Sequence, residues 1–191
     1  FKSTMEYSHW LADPRVVRAI INESGPTITW LQDQGVVFTD ATINMPEAPR
    51  TYHVVKGKGE AMVKAMVTQA KSRGVGIFPG VPVTGLLKEG GRISGVVVDD
   101  GGGEVEVAAQ AVIVATGGFA NNKEWIKKYA GFELGVDVVP LGNTGKMGDG
   151  IRMAWEAGAA EAGVGTLELF RVAPFGADFA TWNDLEIACA Q

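Results

Sequence analysis

The sequence predicts an α/β fold with a helical insert and an antiparallel β-meander. Three observations carry that expectation. Apolar residues recur at helical spacing through much of the first 75 positions, and three short alternating segments between 81 and 107 are joined by glycine turns. Then a continuous apolar run, Ala111-Val112-Ile113-Val114-Ala115, empties into Thr116-Gly117-Gly118, and a second glycine cluster spans Gly142 to Gly150. Two glycine-lined turns at strand and helix ends suit a phosphate- or ribose-bearing ligand, because glycine lets the backbone come close to it.

The elements follow in order. Asp13 before Pro14 is an N-cap with proline at N1, and Val16, Val17, Ile20 and Ile21 continue the helical period. Ser24-Gly25-Pro26 is expected to punctuate that helix before another carries Ile28, Trp30 and Leu31 towards Gly35. Residues 40–52, with Pro46 and Pro49, read as an irregular connection. Gly57 to Arg73 is amphipathic, with Met62, Ala65, Met66 and Ala70 on one face and Gly74 as C-cap. The run Val81 to Leu87, the turn at Gly90-Gly91, Ile93 to Asp99, the Gly101-Gly102-Gly103 turn and Glu104 to Val107 make the meander. The run at 111–115 is expected to re-enter a sheet as a buried parallel strand, followed by a helix. A last helix opens after Gly148-Asp149-Gly150.

Composition narrows the function. With 191 residues, a net charge of -5, 46% hydrophobic and 20% charged residues, the chain has the make-up of an ordinary globular protein. Nothing forms a basic stripe able to neutralise nucleic-acid phosphates. No apolar run approaches the roughly 20 residues of a membrane-spanning helix. The single Cys189 excludes an internal disulfide. The chain opens on Phe1-Lys2-Ser3 and reads as a piece of a longer protein. Its compartment is not legible.

Several motifs carry a plain structural reading beside a chemical one. Gly57-Lys58-Gly59-Glu60-Ala61-Met62 mimics a dinucleotide fingerprint, but Met62 holds its third glycine position and no acidic residue follows about 20 positions on. It is read as a helix start, which disfavours an NAD-dependent Rossmann enzyme. Asp149 could be an N-cap, a cofactor ligand, or both. His9 and His53 are isolated and read as surface or capping groups. The Trp and Met content reads as core.

The order of a helix ending in Arg73-Gly74, the Val81-Pro82-Val83-Thr84-Gly85-Leu86-Leu87 strand, a meander, Val112 to Phe119, and Asn143-Thr144-Gly145-Lys146-Met147-Gly148-Asp149-Gly150-Ile151 resembles the fumarate reductase/succinate dehydrogenase flavoprotein family, which includes ketosteroid dehydrogenases. The resemblance spans nearly the whole chain and is most specific from Gly74 to Ala159. It implies a partial FAD-binding, Rossmann-like domain: a helical insert over 1–56, the FAD-domain helix, meander, buried strand and Gly-Asp-Gly helix over 57–160, and the entry to a capping domain over 161–191.

It also implies site roles. Val83 matches the backbone position beside the adenine ring. Thr116, Gly117 and Gly118 match the adenosine and pyrophosphate end. Thr144, Gly145, Gly148 and Asp149 form the second cofactor turn, with Asp149 reaching towards the flavin side. Relative to the family's Thr-Gly-Asp-Gly, this turn carries two further residues, Lys146 and Met147. The family's N-terminal strand–Gly-x-Gly-x-x-Gly–helix and its catalytic arginine have no counterpart in the sequence. Where fumarate-type members carry a substrate-binding His, Ala173 stands, and Arg171 beside it suits a different anion or only solvent.

The resemblance thus implies an FAD-dependent oxidoreductase that reduces or forms a carbon–carbon double bond in a small carboxylate or enone. The 191 residues alone are expected to be inactive and to hold FAD weakly or not at all. The other reading is a non-catalytic binding or assembly domain on the same architecture, with homo-oligomers formed through exposed core surface.

Overall fold

The computed structural model describes residues 1–42, 52–140 and 145–167. The chain divides into two compact units, Phe1–Pro79 and Gly80 onward.

The first unit begins with α1 (Lys2–Tyr7) and α2 (Pro14–Asp33). Asp13 caps α2 as its sequence predicts, accepting the Arg15 N–H, with Pro14 in the first helical turn. The helix does not break at Ser24-Gly25-Pro26; it runs through as 20 residues with Pro26 inside. Proline removes one helical N–H, but residues 22–27 face solvent, where a freed carbonyl can turn to water. Hydroxyls supply extra bonds there: Ser24 Oγ donates to the Ile21 carbonyl at 2.8 Å and Thr27 Oγ1 to Glu23 at 2.7 Å.

Beyond α2 come β1 (Phe38–Thr42) and β2 (Tyr52–Val55), an antiparallel pair that the irregular-connection reading of 40–52 misses. Their register sets Phe38 opposite Val55 and Ala41 opposite His53. Helix α3 (Lys58–Ser72) follows with Gly57 as N-cap at φ 85°, so the Gly57–Met62 motif is a helix start. Met62, Ala65, Met66 and Ala70 are half-buried on its inner face. Gly74 ends it at φ 76°. The small core holds Met5, Val17 and Val36. Buried Gln34 is satisfied on both sides: its amide donates to the Trp30 carbonyl, and Arg73 Nη2 donates to its Oε1 at 2.8 Å.

The second unit opens with the meander β3 (Val83–Glu89), β4 (Arg92–Asp99) and β5 (Glu104–Ala108), in spatial order β3-β4-β5 and wholly antiparallel. Val83 and Val105 both pair with Val98, and Val107 pairs with Val96. These valines share one face of the sheet, while Glu104 and Glu106 take the other. Gly95 in β4 has a packing reason: a Cβ there would run into the Val107 carbonyl oxygen.

The expected buried strand at 111–115 is not formed. These residues lie in no strand, and Ile113 is 90% exposed. A parallel strand needs neighbours to accept its ladder bonds, and no strand among the described residues pairs with it. The run leads instead to a short helical segment, α4 (Lys123–Trp125), which widens into a π-helical turn at Ile126–Ala130. The last helix is α5 (Asp149–Glu156). Its C-terminal end meets the sheet, where Lys88 Nζ donates to the Ala157 carbonyl at 2.7 Å. The core of this unit is Phe119, Ile126 and Leu134, with Trp125, Tyr129 and Ile151 packed against it.

Candidate functional site

The two glycine turns meet at the start of α5. A Cβ placed on Gly150 would collide with Thr116 Oγ1 and lie 2.5 Å from Val114 Cγ1, so only a glycine permits this approach of helix to turn. Gly148, the N-cap of α5, has φ 88°, and a Cβ there would come within 2.6 Å of the Trp125 ring. Gly117 turns the chain at φ 76°, a left-handed conformation that glycine adopts without strain. Beside Gly118 there is open space. An open concavity of about 400 Å³ lies against these elements, lined among others by Thr116, Gly117, Gly150, Ile151, Trp155 and Val164.

Two asparagines bolt the turns together. Asn121 N–H donates to the Lys146 carbonyl at 3.0 Å, and Asn121 Oδ1 accepts the Lys146 N–H at 3.1 Å. Asn122 Nδ2 donates to the Met147 carbonyl at 2.8 Å, while its Oδ1 accepts the Trp125 N–H at 3.1 Å as the cap of α4. The loop after the first turn therefore grips the backbone of the second through hydrogen bonds. Aromatic packing backs it: Trp125 stacks on Trp155 at 5.1 Å, and Phe119 and Tyr129 meet Trp125 edge-on.

Of the residues singled out from the sequence, Thr116, Gly117, Gly148 and Gly150 are brought together here. Gly145 and Gly118 lie in the same two turns. Asp149 is not the N-cap, since Gly148 takes that position; it stands exposed in the first turn of α5, where its charge complements the helix dipole. Val83 is held elsewhere, opening β3 opposite Val98. Thr144, Arg171 and Ala173 lie outside the described residues. Asn121, Asn122 and Trp125 were not anticipated. The Asn-Asn pair ahead of a helix was the available signal, because asparagine is both a cap and a backbone mimic.

Among the described residues no cluster of three or more His, Cys, Asp or Glu could hold a metal ion, and no helix is long and apolar enough to cross a membrane.

Comparison with known proteins matches residues 1–178 to a family described as FAD binding domain. The chain is 34% identical over 173 residues to a vinyl phenol reductase of Lactiplantibacillus plantarum, covering 88% of this chain and 35% of that protein. It is 27% identical over 176 residues to an NADH:fumarate oxidoreductase of Klebsiella pneumoniae, covering 88% of this chain and 18% of that protein. The chain thus spans about a third or less of these relatives. Among solved structures, a flavocytochrome c3 fumarate reductase in its open conformation superposes with a TM-score of 0.72 at 24% identity, over 83% of this chain and 29% of that one. A 3-ketosteroid-Δ4-(5α)-dehydrogenase from Rhodococcus jostii superposes with a TM-score of 0.63 at 26% identity, over 78% of this chain and 38% of that one. The glycine turns, the meander before them and the match over residues 1–178 agree, and the chain belongs to the FAD binding domain family.

Proposed function

We propose that this chain supplies the adenosine-side part of the FAD site in an oxidoreductase that reduces or forms a carbon–carbon double bond. The observation that carries the reading is the contact of Gly150 with Thr116, which sets the N-terminus of α5 beside the positive-φ turn at Gly117. That arrangement suits a nucleotide: backbone can approach an anion closely at Gly117 and Gly118, and the helix N-terminus adds N–H groups. The relatives' names support the redox class. Vinyl phenol, fumarate and androstenedione each contain a carbon–carbon double bond. The substrate is a small carboxylate or an enone, after the fumarate and androstenedione relatives. The vinyl phenol relative, whose substrate is neither, extends the class to an alkene conjugated to a phenol ring.

When bound, FAD supplies the two-electron chemistry. The protein residues position it. The Thr116 hydroxyl and the backbone of Gly117 and Gly118 hold the adenosine and diphosphate portion, and the backbone at Val83 meets the adenine. Thr144, Gly145 and Gly148 shape the second turn. Asp149 binds hydroxyls towards the flavin side, since a carboxylate repels phosphate. The 191 residues alone hold FAD weakly and catalyse no turnover, because further contacts come from other parts of a protein of the relatives' length.

Titrating FAD with the purified chain tests this. Saturable but weak quenching of flavin fluorescence, with no comparable response to NAD, is expected. Absence of any saturable FAD binding would sink the reading. Exposed apolar residues such as Ile113 favour a second reading, an assembly domain without cofactor; self-association with no flavin response would select it.

A further inference from the structure

The second glycine turn carries a cation that the cofactor reading leaves without a task. Lys146 lies between Gly145 and Gly148, and its backbone is fixed from both sides by Asn121. Its side chain is exposed and runs across the first glycine turn. A Cβ on Gly117 would lie 3.8 Å from Lys146 Cε and 3.9 Å from Cδ, so the aliphatic stem covers this glycine. The ammonium is one bond beyond, about 1.5 Å. Among the described residues no carboxylate is paired with it. Elsewhere in this unit Lys88 is spent on the Ala157 carbonyl and Lys127 on Glu133. A fixed backbone, a stem lying over a positive-φ glycine and an uncommitted charge at its end describe a counter-ion for an anion seated at that glycine.

We infer that Lys146 neutralises the diphosphate of an adenine dinucleotide bound at the Thr116-Gly117-Gly118 turn, and so sets the preference for phosphorylated over unphosphorylated adenosine. The inference rests on the FAD reading above. The stem lies at ordinary van der Waals distance above residue 117, and the demand for glycine there comes from the backbone, whose φ of 76° a side chain would strain. The chain carries a net charge of -5, which opposes a diphosphate, so a local positive group is needed to bring that anion close. Lysine serves as a point charge on a flexible stem, and an exposed contact of this kind is worth about fivefold in affinity.

The test is calorimetric titration of the purified chain with FAD, ADP and adenosine at two salt concentrations, for the native sequence, Lys146→Met and Lys146→Arg. The native chain is expected to bind ADP more tightly than adenosine, and more weakly as salt rises. Lys146→Met is expected to weaken ADP and FAD about fivefold, to flatten the salt dependence and to leave adenosine unchanged. Lys146→Arg should retain ADP affinity. Equal ADP affinity and salt dependence in the native chain and Lys146→Met would overturn the inference while leaving the FAD reading intact. Equal losses for ADP and adenosine would also overturn it, by showing a role in folding the turn. A native chain that binds neither FAD nor ADP would overturn the FAD reading and the inference together.

Discussion

Asp13 joins two tasks in one carboxylate. Its Oδ1 accepts the Arg15 N–H at 2.8 Å, closing the N-terminus of α2, and the Arg15 guanidinium returns to it with Nη2 to Oδ2 at 2.7 Å. These bonds favour the charged form, and the carboxyl is held at about 2, below its ordinary 3.8, chiefly by the side-chain bond from Arg15. Because the folded value is the lower one, the capping stabilisation is fully present above the ordinary value and is lost as pH falls through about 2. Both partners are solvent-exposed, so the effect belongs to the first turn of α2 rather than to global stability. NMR titration of the Asp13 carboxyl should find its midpoint near 2, and Arg15→Gln should move it back towards the ordinary carboxylate range. An unchanged midpoint in Arg15→Gln would refute the assignment of cause.

At the scale of elements, the decisive contact is the start of α5 against the 114–116 segment. Gly150→Ala would drive a methyl group into Thr116 Oγ1 and Val114 Cγ1, and neither neighbour is the far end of a flexible side chain. Overpacking of this kind costs about 1–3 kcal/mol. The substitution should lower the melting temperature and weaken FAD binding together, whereas Arg152→Gly, on the exposed side of the same helix and outside the concavity, should lower stability through helix propensity with a much smaller effect on FAD. Equal flavin affinity in Gly150→Ala and the native chain would refute the role of this contact. The glycines that create it were legible in the sequence, as were α3 and all three meander strands, because each is signalled within a few neighbouring residues. The elements that escaped were relational. Strands β1 and β2 exist only as a pair, and the Pro46 and Pro49 stretch between them masks either strand taken alone. The 111–115 run has the composition of a buried strand, but composition specifies no partner. Pro26 misleads for the opposite reason: its local rule is sound, and exposure to water relaxes it. The asparagine clamp at 121–122 escaped because its bonds reach 25 residues along the chain.

At the scale of the whole molecule, the second unit leaves apolar surface uncovered. Ile113 is 90% exposed, and Val105 and Val107 on β5 are 42% and 45% exposed. Among the described residues β5 is also an edge strand, paired with β4 on one side only. A strand edge combined with an apolar face is the usual template for pairing with another chain, and burial of such surface is favourable at about 25 cal/mol per Å². Glu104 and Glu106 alternate with the valines and oppose indiscriminate stacking on the other face. The chain is therefore expected to self-associate as its concentration rises, through this surface rather than through the flavin site. Light scattering after size exclusion, across a concentration series, should show a rising mass for the native sequence. Val107→Lys combined with Ile113→Lys should return it to a monomer with an unchanged circular dichroism spectrum and unchanged ADP affinity. A clean monomer of the native chain at every concentration would refute the association. A mass unaffected by the double substitution would move the contact to another surface. Loss of ADP binding in the double variant would show instead that the 105–113 surface and the glycine turns fold as one unit.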